Sequence, residues 1–435
     1  MRIVLVNKFH YRKGGAETYY LTLGERLKAM GHEVAYFSMR HPENLPCAQA
    51  KYFVTQREYN DVHNPVKAAR DGLALIYSHE AKRNFEALCE DFRPDVVHLN
   101  NVHRQITLSI LDAPYLAEHC VPVVYTAHDY VTVCPGYLML DGEGVVCDEC
   151  LRDGYYRHCI EKRCVKGSRT KSALAVLEAS FNRAHHTAEK IDAVIAPSEF
   201  IAGKLIEGGW SASKIHYMQN FVGEEVLRRA SDSQDRTDRT NPYILYFGRL
   251  SHEKGVDVLI DGFDRACEML PEDWRLVIAG DGSERDVLEA RAHGCRNSDR
   301  MEFVGFQSGQ VLVDLVEQAS FVCQPSRWRE NMPLSSLEAF SLGTPVVGAR
   351  IGGIPEIVIE EETGLLHDPG DSVALAGALV KACEKAADRP VYRAMQRKCR
   401  NYVTTRCNLE GYINTLINLY QELIHAESQR YCPNI

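Results

Sequence analysis

Short runs of apolar residues alternate with longer amphipathic stretches along most of the chain. In the first half, the apolar runs are rich in β-branched residues and span positions 3–6, 34–37, 96–99, 123–127 and 193–196. Runs of this length and composition predict strands that are buried on both faces, and the stretches between them are long enough for helices. The pattern therefore predicts a parallel sheet with helices on both of its faces, which is an α/β domain.

The same pattern starts again in the second half, after a polar and charged stretch that includes SDSQDRTDRTNP. New strands are predicted within positions 243–250, 301–306, 321–324 and 345–348, and a strand with its turn is predicted at 274–282. We therefore predict a first domain at 1–222, a linker at 223–241 and a second domain at 242–408. A final amphipathic helix at 409–435 is expected to return to the first domain, with packing on the second domain as the alternative.

Length and composition narrow the class of protein. A chain of 435 residues predicts about two to three domains. The net charge of -9 argues against a general nucleic-acid binder, and the chain has no run of 18 apolar residues that would predict a membrane-spanning helix. The opening MRIVLV is interpreted as a strand and not as a signal peptide. Fifteen cysteines in so large a chain predict mostly reduced thiols in a cytoplasmic protein.

A glycine pair follows the first predicted strand and opens a helix. Gly14 and Gly15 lie in the sequence YRKGGAE, after which apolar residues recur at helical spacing. Strand, glycine loop and helix is the order in which a doubly wound sheet brings its backbone close to a phosphate. The alternative is an ordinary turn between a strand and a helix. The pattern G-x-G-x-x-G is missing, so the sequence does not support a nicotinamide or flavin site.

A histidine follows another predicted strand. His128 and Asp129 come directly after VVYTA, at the carboxyl end where ligands bind in sheets of this kind. A histidine in this place can donate a hydrogen bond to a sugar hydroxyl or to a developing charge. The alternative is a histidine that is hydrogen-bonded within its own loop.

Two glutamates in the second half are spaced eight positions apart. If a helix begins near Pro333, Glu330 lies in the loop before it and Glu338 lies inside it. Because the first amides of a helix have no partner within the helix, this arrangement predicts a site for an anionic ligand with hydroxyl groups. Pro333 has no N–H group, so we expect the amides of Met332, Leu334 or Ser335 to contact a phosphate. The alternative is a surface helix with two solvated glutamates.

Two cations follow the strand YILYFGRL. Arg249 lies at its end, and Lys254 lies just before the next predicted helix. A guanidinium and an ammonium group at these positions can neutralise a diphosphate. Taken alone, the two residues are also compatible with an ordinary charged surface loop.

The segment 134–164 is rich in cysteine. Cys147 and Cys150 form a C-x-x-C pair, which is half of a typical structural zinc site. The other half is predicted from Cys134 and Cys159, while Cys164 and His158 are further candidates. Because four cysteines leave no open coordination position, the zinc would be structural. The alternative is a set of free thiols.

A basic stretch begins at Lys162 and runs into an apolar-periodic segment that ends near position 186. A basic amphipathic helix on an acidic protein is typical of contact with an anionic membrane surface. Packing of the helix on its own sheet is the alternative.

The sequence QPSRWRENMPLSSLEAFSLG at 324–343 resembles the paired-glutamate motif of the family 4 retaining glycosyltransferases. The segment 248–255, Gly-Arg-Leu-x-x-Glu-Lys-Gly, is similar to the donor-phosphate segment of the same family. One departure is visible, since Met332-Pro333 stands where the family often has Phe-Gly. The resemblance covers nearly the whole chain and is strongest between residues 243 and 369.

This resemblance implies the GT-B fold, in which two doubly wound Rossmann-like domains face each other across a cleft. It implies transfer of a hexose from a nucleotide-diphosphate sugar to a hydroxyl of a glycan or lipid-linked acceptor, with retention at the anomeric carbon and no catalytic metal. It further implies a role in cell-surface polysaccharide biosynthesis, on the cytoplasmic side of the membrane. The residues to which it assigns roles are Arg249 and Lys254 for the diphosphate, Glu338 for the ribose, Glu330 and His128 for the donor sugar, and Gly14, Gly15 and Phe306 for further donor contacts.

Two other classes of function stay open. A sugar-nucleotide epimerase or hydrolase on the same fold would use the donor without an acceptor. A non-catalytic, zinc-stabilised interaction protein would bind without turnover. The donor base, the donor sugar and the acceptor are not specified by these residues.

Overall fold

A computed structural model describes residues 1–57, 72–223 and 241–430. Nearly all of the predicted linker therefore lies outside the described residues. The chain divides into two compact units. The first unit consists of Met1–Glu143, Cys147–Met218 and Glu410–Ile435, and the second consists of Gly144–Val146 and Gln219–Leu409.

The first unit is built around a six-stranded sheet whose paired strands all run parallel. Its strands are β1 (Arg2–Val6), β2 (Glu33–Phe37), β3 (Val96–Leu99), β4 (Val123–Thr126), β5 (Ala193–Ala196) and β6 (Ile215–Tyr217). Their order in the sheet is β2-β1-β3-β4-β5-β6. The central strands coincide with the apolar runs, because strands buried on both faces need apolar side chains at every position.

Helices connect these strands. They are α1 (Gly15–Ala29), α2 (His79–Phe92), α3 (Pro114–Glu118), α4 (Glu149–Asp153), α5 (Arg157–Glu161), α6 (Arg169–Ala184) and α7 (Glu199–Glu207). Three of them begin after a serine whose hydroxyl oxygen accepts a hydrogen bond from a first-turn amide, namely Ser78, Ser168 and Ser198. Such caps satisfy one of the amides that a helix start leaves unpaired.

The second unit has a second six-stranded parallel sheet. Its strands are β7 (Tyr243–Phe247), β8 (Arg275–Ala279), β9 (Met301–Gly305), β10 (Phe321–Gln324), β11 (Val346–Ala349) and β12 (Gly364–His367), in the order β12-β11-β10-β7-β8-β9. Its helices are α8 (Val256–Ala266), α9 (Arg285–His293), α10 (Gly309–Gln318), α11 (Leu334–Ser341), α12 (Ile354–Ile357), α13 (Ser372–Ala387) and α14 (Arg389–Arg406).

Alternate residues of the central strand β7 belong to two separate hydrophobic clusters. Ile244 and Tyr246 pack in one cluster, and Leu245 and Phe247 pack in the other. Because successive side chains of a strand point to opposite faces, both faces of this sheet are covered. Two parallel sheets of this kind confirm the predicted α/β fold class.

The last helix, α15 (Leu409–Arg430), packs on the first unit through buried tyrosine hydroxyls. The Tyr412 hydroxyl lies 2.6 Å from that of Tyr19, and the Tyr420 hydroxyl lies 2.6 Å from Nδ1 of His98. Nε2 of the same histidine lies 2.7 Å from the Thr126 hydroxyl. Since buried polar groups need partners, this network fixes the position and rotation of the helix on the sheet.

Within the described ranges, no helix combines the length and the apolar character that crossing a bilayer requires.

Candidate functional site

Glu330 is a buried acid in the loop between β10 and α11. Only 4% of its surface is exposed. Its Oε1 accepts a hydrogen bond of 2.6 Å from Nζ of Lys254 and one of 2.8 Å from the Ser326 hydroxyl. The structure therefore joins two of the predicted site residues in a buried ion pair. Removing either partner would leave an uncompensated charge in a place that water reaches poorly.

The backbone of Glu330 is held by the turn after β11. The amide of Gly353 donates a hydrogen bond of 2.7 Å to the Glu330 carbonyl. Gly352 has a φ of +60°, and a Cβ at this position would lie 2.3 Å from the same carbonyl oxygen. Only glycine fits there, so the turn fixes where the Glu330 side chain begins.

The loop after β7 is fastened to the loop after β10. The Arg327 guanidinium donates two hydrogen bonds, of 2.9 and 2.7 Å, to the Asp257 carboxylate, and the Arg327 amide donates one of 3.0 Å to the Glu253 carbonyl. Gly255 has a φ of +67°, and a Cβ there would lie 2.2 Å from the Pro325 carbonyl oxygen. These contacts hold Lys254 at the position from which it reaches Glu330.

Sequence reasoning missed this clamp. Arg327 and Asp257 are 70 positions apart, and neither belongs to a local sequence pattern that predicts an ion pair. A bidentate guanidinium–carboxylate pair of this kind is specific in geometry as well as favourable in energy.

Arg249 lies in the same loop but is far more exposed. Its guanidinium donates a hydrogen bond of 2.8 Å to Glu253, four positions on, while 65% of its side-chain surface remains accessible. Each of the two predicted cations is thus balanced by a carboxylate. An anionic ligand would have to compete with Glu253 for Arg249 and with Glu330 for Lys254.

Glu338 is the fifth residue of α11 and is half-buried. Desolvation raises the pKa of its carboxyl group to about 7. In the described part of the chain, no hydrogen bond or ion pair to its carboxylate oxygens is found. The group is therefore close to half-ionised at neutral pH, and a hydroxyl donor that reached it would stabilise its ionised form.

The amides at the start of α11 surround the same region. Pro333 precedes the helix and its side chain makes no cap, so the first-turn amides of Leu334 and Ser335 begin the helix uncapped. The Ser335 hydroxyl accepts a hydrogen bond of 2.6 Å from the Gln324 amide group. Met332 is buried, and its carbonyl accepts a hydrogen bond of 3.3 Å from the side-chain amide of Asn220. Leu334 and Ser335 thus have the position that the sequence predicted for anion-binding amides.

Phe306 follows β9 directly, and 73% of its surface is exposed. An exposed aromatic ring at the carboxyl end of a strand has no role in the core. Its contact with the donor, which the resemblance implies, stays a prediction.

In the first unit, Gly14 is the residue before α1 and has an extended backbone. A Cβ there would approach only the end of the Glu17 side chain, at 3.4 Å, which is ordinary contact. Neither the backbone nor the described neighbours require glycine at this position. The absence of a side chain would therefore matter only to a ligand that binds at the start of α1. The predicted role of Gly14 and Gly15 in donor binding supposes such a ligand.

His128 lies just beyond β4 and is paired with Asn100. Its Nε2 is 2.9 Å from Asn100 Oδ1, and its ring packs edge-on against Tyr19 at a centroid distance of 5.0 Å. Desolvation lowers the pKa of His128 to about 3, so the ring is neutral at physiological pH. With the Nε2 proton donated to Asn100, Nδ1 remains as an acceptor. The adjacent Asp129 accepts a hydrogen bond from the Val131 amide and serves its own turn.

The cysteine-rich segment gathers its thiols in one place. A small cavity is lined by sulfur-bearing side chains of Cys134, Cys147, Cys150, Cys159 and Cys164. His158 belongs elsewhere, because its ring nitrogens contact the carboxylates of Glu149, Asp153 and Glu161. It is therefore no candidate for this cluster. Across residues 1–57, 72–223 and 241–430, no group of three or more His, Cys, Asp or Glu side chains is placed so that it could hold a metal ion in this arrangement.

The basic stretch at 162–186 forms the end of this segment and most of α6. Ser172, Ala175 and Glu178 are the buried residues of the helix, and Leu177 is 57% exposed. The carboxylate of Glu178 lies 3.6 Å from both His103 and Arg104. The helix thus packs on the first unit through a narrow face that includes a buried ion pair.

Two family models together match most of the chain. The model described as Glycosyltransferase Family 4 matches residues 13–226, and the model described as Glycosyl transferases group 1 matches residues 228–403. A D-inositol 3-phosphate glycosyltransferase from Xylanimonas cellulosilytica is 38% identical over 204 residues. That match covers 43% of this chain and 48% of the relative, so the similarity spans about half of each protein.

Solved structures share the fold over nearly the full length. Sucrose-phosphate synthase from Thermosynechococcus elongatus has a TM-score of 0.68 at 20% identity, covering 98% of this chain and 99% of that one. Anabaena Alr3699/HepE in complex with UDP-glucose has a TM-score of 0.61 at 18% identity, covering 97% and 99%. At these identities the likeness establishes the two-domain α/β fold of both proteins, which confirms the predicted GT-B class.

Proposed function

Since this chain belongs to the family 4 glycosyltransferases and has their GT-B fold, we propose that it transfers a sugar from a nucleotide-diphosphate sugar to a hydroxyl of a glycan or lipid-linked acceptor. The observation that carries the proposal is the cluster on the second unit, where Lys254, Glu330 and the start of α11 lie together. A buried cation–carboxylate pair beside uncapped helix amides suits a ligand that has both phosphate and hydroxyl groups.

Lys254 and Arg249 are assigned to the diphosphate. As the donor binds, its phosphate oxygens would share the ammonium group of Lys254 with Glu330 and would take the guanidinium of Arg249 from Glu253. When the bond between the sugar and the phosphate breaks, charge builds up on the leaving diphosphate, and the two cations stabilise it. The amides of Leu334 and Ser335 add donors that need no reorganisation at that moment.

Glu338 and Glu330 are assigned to hydroxyl groups of the donor. A ribose whose hydroxyls donate to the Glu338 carboxylate would stabilise the ionised form and lower the raised pKa of this group. Glu330 would accept hydrogen bonds from the hydroxyls of the transferred sugar. Anabaena Alr3699/HepE was crystallised with UDP-glucose, so UDP is the first nucleotide to test.

The chemical step is proposed to retain the configuration at the anomeric carbon. The bond from that carbon to the phosphate oxygen breaks, and the bond to the acceptor oxygen forms on the same face of the sugar. The acceptor proton passes to an oxygen of the leaving phosphate, so the step needs no protein carboxylate as nucleophile. The resemblance to the family implies that His128 contacts the donor sugar. Because its ring is neutral and Nε2 faces Asn100 Oδ1, Nδ1 would accept a hydrogen bond from a sugar hydroxyl, whereas the sequence pattern predicted a ring that donates one.

The test is a panel of UDP-, GDP- and ADP-sugars incubated with glycan and lipid-linked acceptors, with products identified by mass spectrometry and NMR. We expect one nucleotide class to support transfer and the new linkage to keep the anomeric configuration of the donor. An inverted linkage would overturn the proposed mechanism. Epimerised sugar nucleotide would instead favour the epimerase alternative. Free sugar in an amount that does not depend on the acceptor would favour the hydrolase alternative.

We further propose that the basic stretch before and within α6 contacts anionic membrane, where lipid-linked acceptors reside. Lys166, Arg169 and Lys171 are exposed, and the exposed Leu177 adds an apolar contact. Each basic residue near an anionic surface contributes about 1 kcal/mol to binding. Charge reversal of the three basic residues is expected to abolish cosedimentation with phosphatidylglycerol vesicles.

The matched control reverses three exposed cations of the second unit, Arg296, Arg350 and Lys398. This control should sediment with vesicles as the unmodified protein does. Equal binding by both triple variants, or equal binding to neutral phosphatidylcholine, would contradict the proposed membrane surface.

A further inference from the structure

We propose that the cysteine cavity of the first unit is a structural site for a single zinc ion, with Cys134, Cys147, Cys150 and Cys164 as ligands. Five thiols line one cavity of the cysteine-rich segment. Four thiolates around one ion is the commonest arrangement of a closed structural zinc site. None of these cysteines is assigned a role in donor binding, so zinc content can be measured whether or not the proposed transfer reaction takes place.

The cavity is small. Its free volume is about 10 Å³, which is close to that of a single water-sized sphere and suits one ion once the thiols have turned toward it.

Two of the chosen thiols belong to the C-x-x-C pair, and the other two flank Gly136. A Cβ at Gly136 would lie 3.1 Å from the Cys164 Cβ and 3.6 Å from the Cys134 Sγ. Cys147 and Cys150 line the same cavity as these two cysteines. A structural zinc site draws its four ligands from one such place.

A lysine offsets part of the charge that four thiolates would bring. Lys162 Nζ lies 3.9 Å from Cys147 Sγ and donates a hydrogen bond of 2.8 Å to Glu149. Zinc with four thiolates carries a net charge of about -2, so a nearby ammonium group lowers the cost of holding it in a half-buried place.

Cys159 is assigned to the surroundings of the site and not to the ion. It is buried in the apolar cluster of the segment, and its carbonyl accepts a hydrogen bond of 3.1 Å from the Cys164 amide. A residue that holds the backbone of a ligand acts in the second layer around a metal. The sequence predicts Cys159 as the fourth ligand, and we place Cys164 there, beside Cys134.

The segment has little apolar core to hold it without a metal. Its hydrophobic cluster consists of Cys150, Cys159, Val165 and Ala175, with three further side chains partly buried against them. Small, loop-rich segments of this kind gain much of their folding free energy from a bound ion. Because the thiols do not already have the placement of a metal site, binding requires their side chains to rotate toward the cavity.

The site also bears on His128, because the segment starts only a few residues after it. The Cys134 amide donates a hydrogen bond of 2.7 Å to the Tyr130 carbonyl, and the Tyr130 amide donates one of 3.1 Å to the Tyr137 carbonyl. A metal bound by Cys134 would therefore anchor the turn that follows His128.

The first test is the metal content of the full-length protein, purified without a metal-affinity step and measured by elemental analysis. We expect about one zinc per chain, released when a mercurial reagent blocks the thiols. Reduced protein that contains no zinc and takes none up from a zinc buffer would overturn the proposal. A coloured iron–sulfur chromophore would overturn it as well.

Single variants test the ligand assignment. Cys134→Ser and Cys164→Ser are expected to lose the zinc, whereas Cys159→Ser should keep it. Cys120→Ser is the matched control, since this cysteine of the first unit lies outside the cavity. If Cys159→Ser loses zinc and Cys164→Ser keeps it, the assignment of the fourth ligand is wrong.

If a cysteine variant fails to fold, the proposal can still be tested on the unmodified protein. Cobalt substituted for zinc should give the intense visible bands of a tetrahedral site with four thiolates, together with a sulfur-to-metal charge-transfer band. Bands of an octahedral cobalt ion would contradict four-cysteine coordination. A strong chelator should lower the melting temperature of the unmodified protein and leave that of Cys134→Ser unchanged.

Discussion

The two units share a six-stranded parallel sheet but differ in the chemistry at the carboxyl ends of their strands. In the first unit, His98, His128, Asn100 and Thr126 form hydrogen bonds between uncharged groups. In the second unit, the corresponding loops hold ion pairs, of which Lys254–Glu330 is the most deeply buried. A repeated sheet therefore does not dictate a repeated chemistry, and function has to be argued from each set of loops separately.

The difference has a physical consequence for how each unit is held together. The uncharged network of the first unit keeps its form only while its histidines stay neutral, since a buried imidazolium would lack a counterion. The charged cluster of the second unit is stable only while each cation is paired with a carboxylate. A ligand that brings phosphate groups competes with these carboxylates for the cations. Stability in the first unit and ligand binding in the second should therefore respond to different perturbations.

The largest expected effect comes from removing a cation of the second unit. Lys254→Ala and Arg249→Ala should each lower turnover by roughly 10²- to 10³-fold, because a donor of charge stabilisation in the transition state is lost. Initial rates with the preferred donor measure this. Lys254→Arg is the control that keeps the charge, and it should lose less. If both alanine variants change turnover by less than about threefold, the diphosphate is bound elsewhere.

The next effect concerns acid and the first unit. Burial lowers the pKa of His98 to about 3, whereas its ordinary value is 6.5. Between these two pKa values, the unfolded chain binds a proton at this histidine and the folded chain does not. The free energy of unfolding therefore has its full value above pH 6.5 and falls as the pH drops toward 3. This histidine alone should cost about 2–3 kcal/mol of unfolding free energy by pH 4.5.

Urea unfolding of the unmodified protein and of His98→Gln, followed at several pH values, measures this loss. The variant should be less stable at pH 8 because its hydrogen bonds to Tyr420 and Thr126 are altered. Its stability should also fall less steeply between pH 6.5 and 4.5. Equal slopes for the two proteins would show that the network tolerates a charged histidine.

A smaller effect is expected when Glu338 is replaced by glutamine. The replacement should raise the stability of the empty protein and weaken nucleotide binding. Its folded-state pKa of about 7 lies above the ordinary value of 4.5, so ionisation costs stability as the pH rises through this range. Glu338→Gln removes that cost and should stabilise the empty protein at pH 8 by about 1–2 kcal/mol, after allowance for partial exposure. The gain should vanish below pH 4.5, where the carboxyl is protonated in both states.

The same variant should bind nucleotide about tenfold more weakly, since one good acceptor for a ribose hydroxyl is lost. Melting curves at pH 5 and 8, with and without nucleotide, measure both effects. A variant that is less stable at pH 8 would mean that Glu338 has a partner which holds it ionised.

The smallest effect is predicted for the stability of Arg249→Ala without ligand. The Arg249–Glu253 pair is exposed, and such pairs contribute about 0–1 kcal/mol. The melting temperature should stay close to that of the unmodified protein although turnover falls. A large loss of stability would mean that this arginine serves the fold and not the ligand.

The sequence predicted the strands better than the contacts. The apolar runs at 3–6, 34–37 and 96–99 coincide with β1, β2 and β3 to within a residue, because a buried parallel strand shows itself as a continuous apolar run. Strand β12 was missed. It consists of GLLH, and a glycine at its start and a histidine at its end leave only two apolar positions as a signal.

In the candidate site, the sequence predicted where the glutamates lie relative to the helix, but it missed the side chains that hold the site residues in place. Glu330 before a helix and Glu338 within it follow from local spacing, and the helix begins one residue after Pro333. The Arg327–Asp257 clamp and the Asn100–His128 pair join residues that are far apart in sequence. Such contacts depend on how strands are ordered in the sheet, which local patterns do not encode.

The central claim is that the loops of the second unit bind a nucleotide-diphosphate sugar through Lys254. The measurement that tests it most directly is a melting-temperature scan against UDP, GDP, ADP and their sugar derivatives, for the unmodified protein and Lys254→Ala. A ligand that binds the folded state raises the melting temperature by mass action. We predict that one nucleotide class stabilises the unmodified protein and stabilises the variant far less. Absence of stabilisation by every nucleotide, or equal stabilisation of both proteins, would contradict the account.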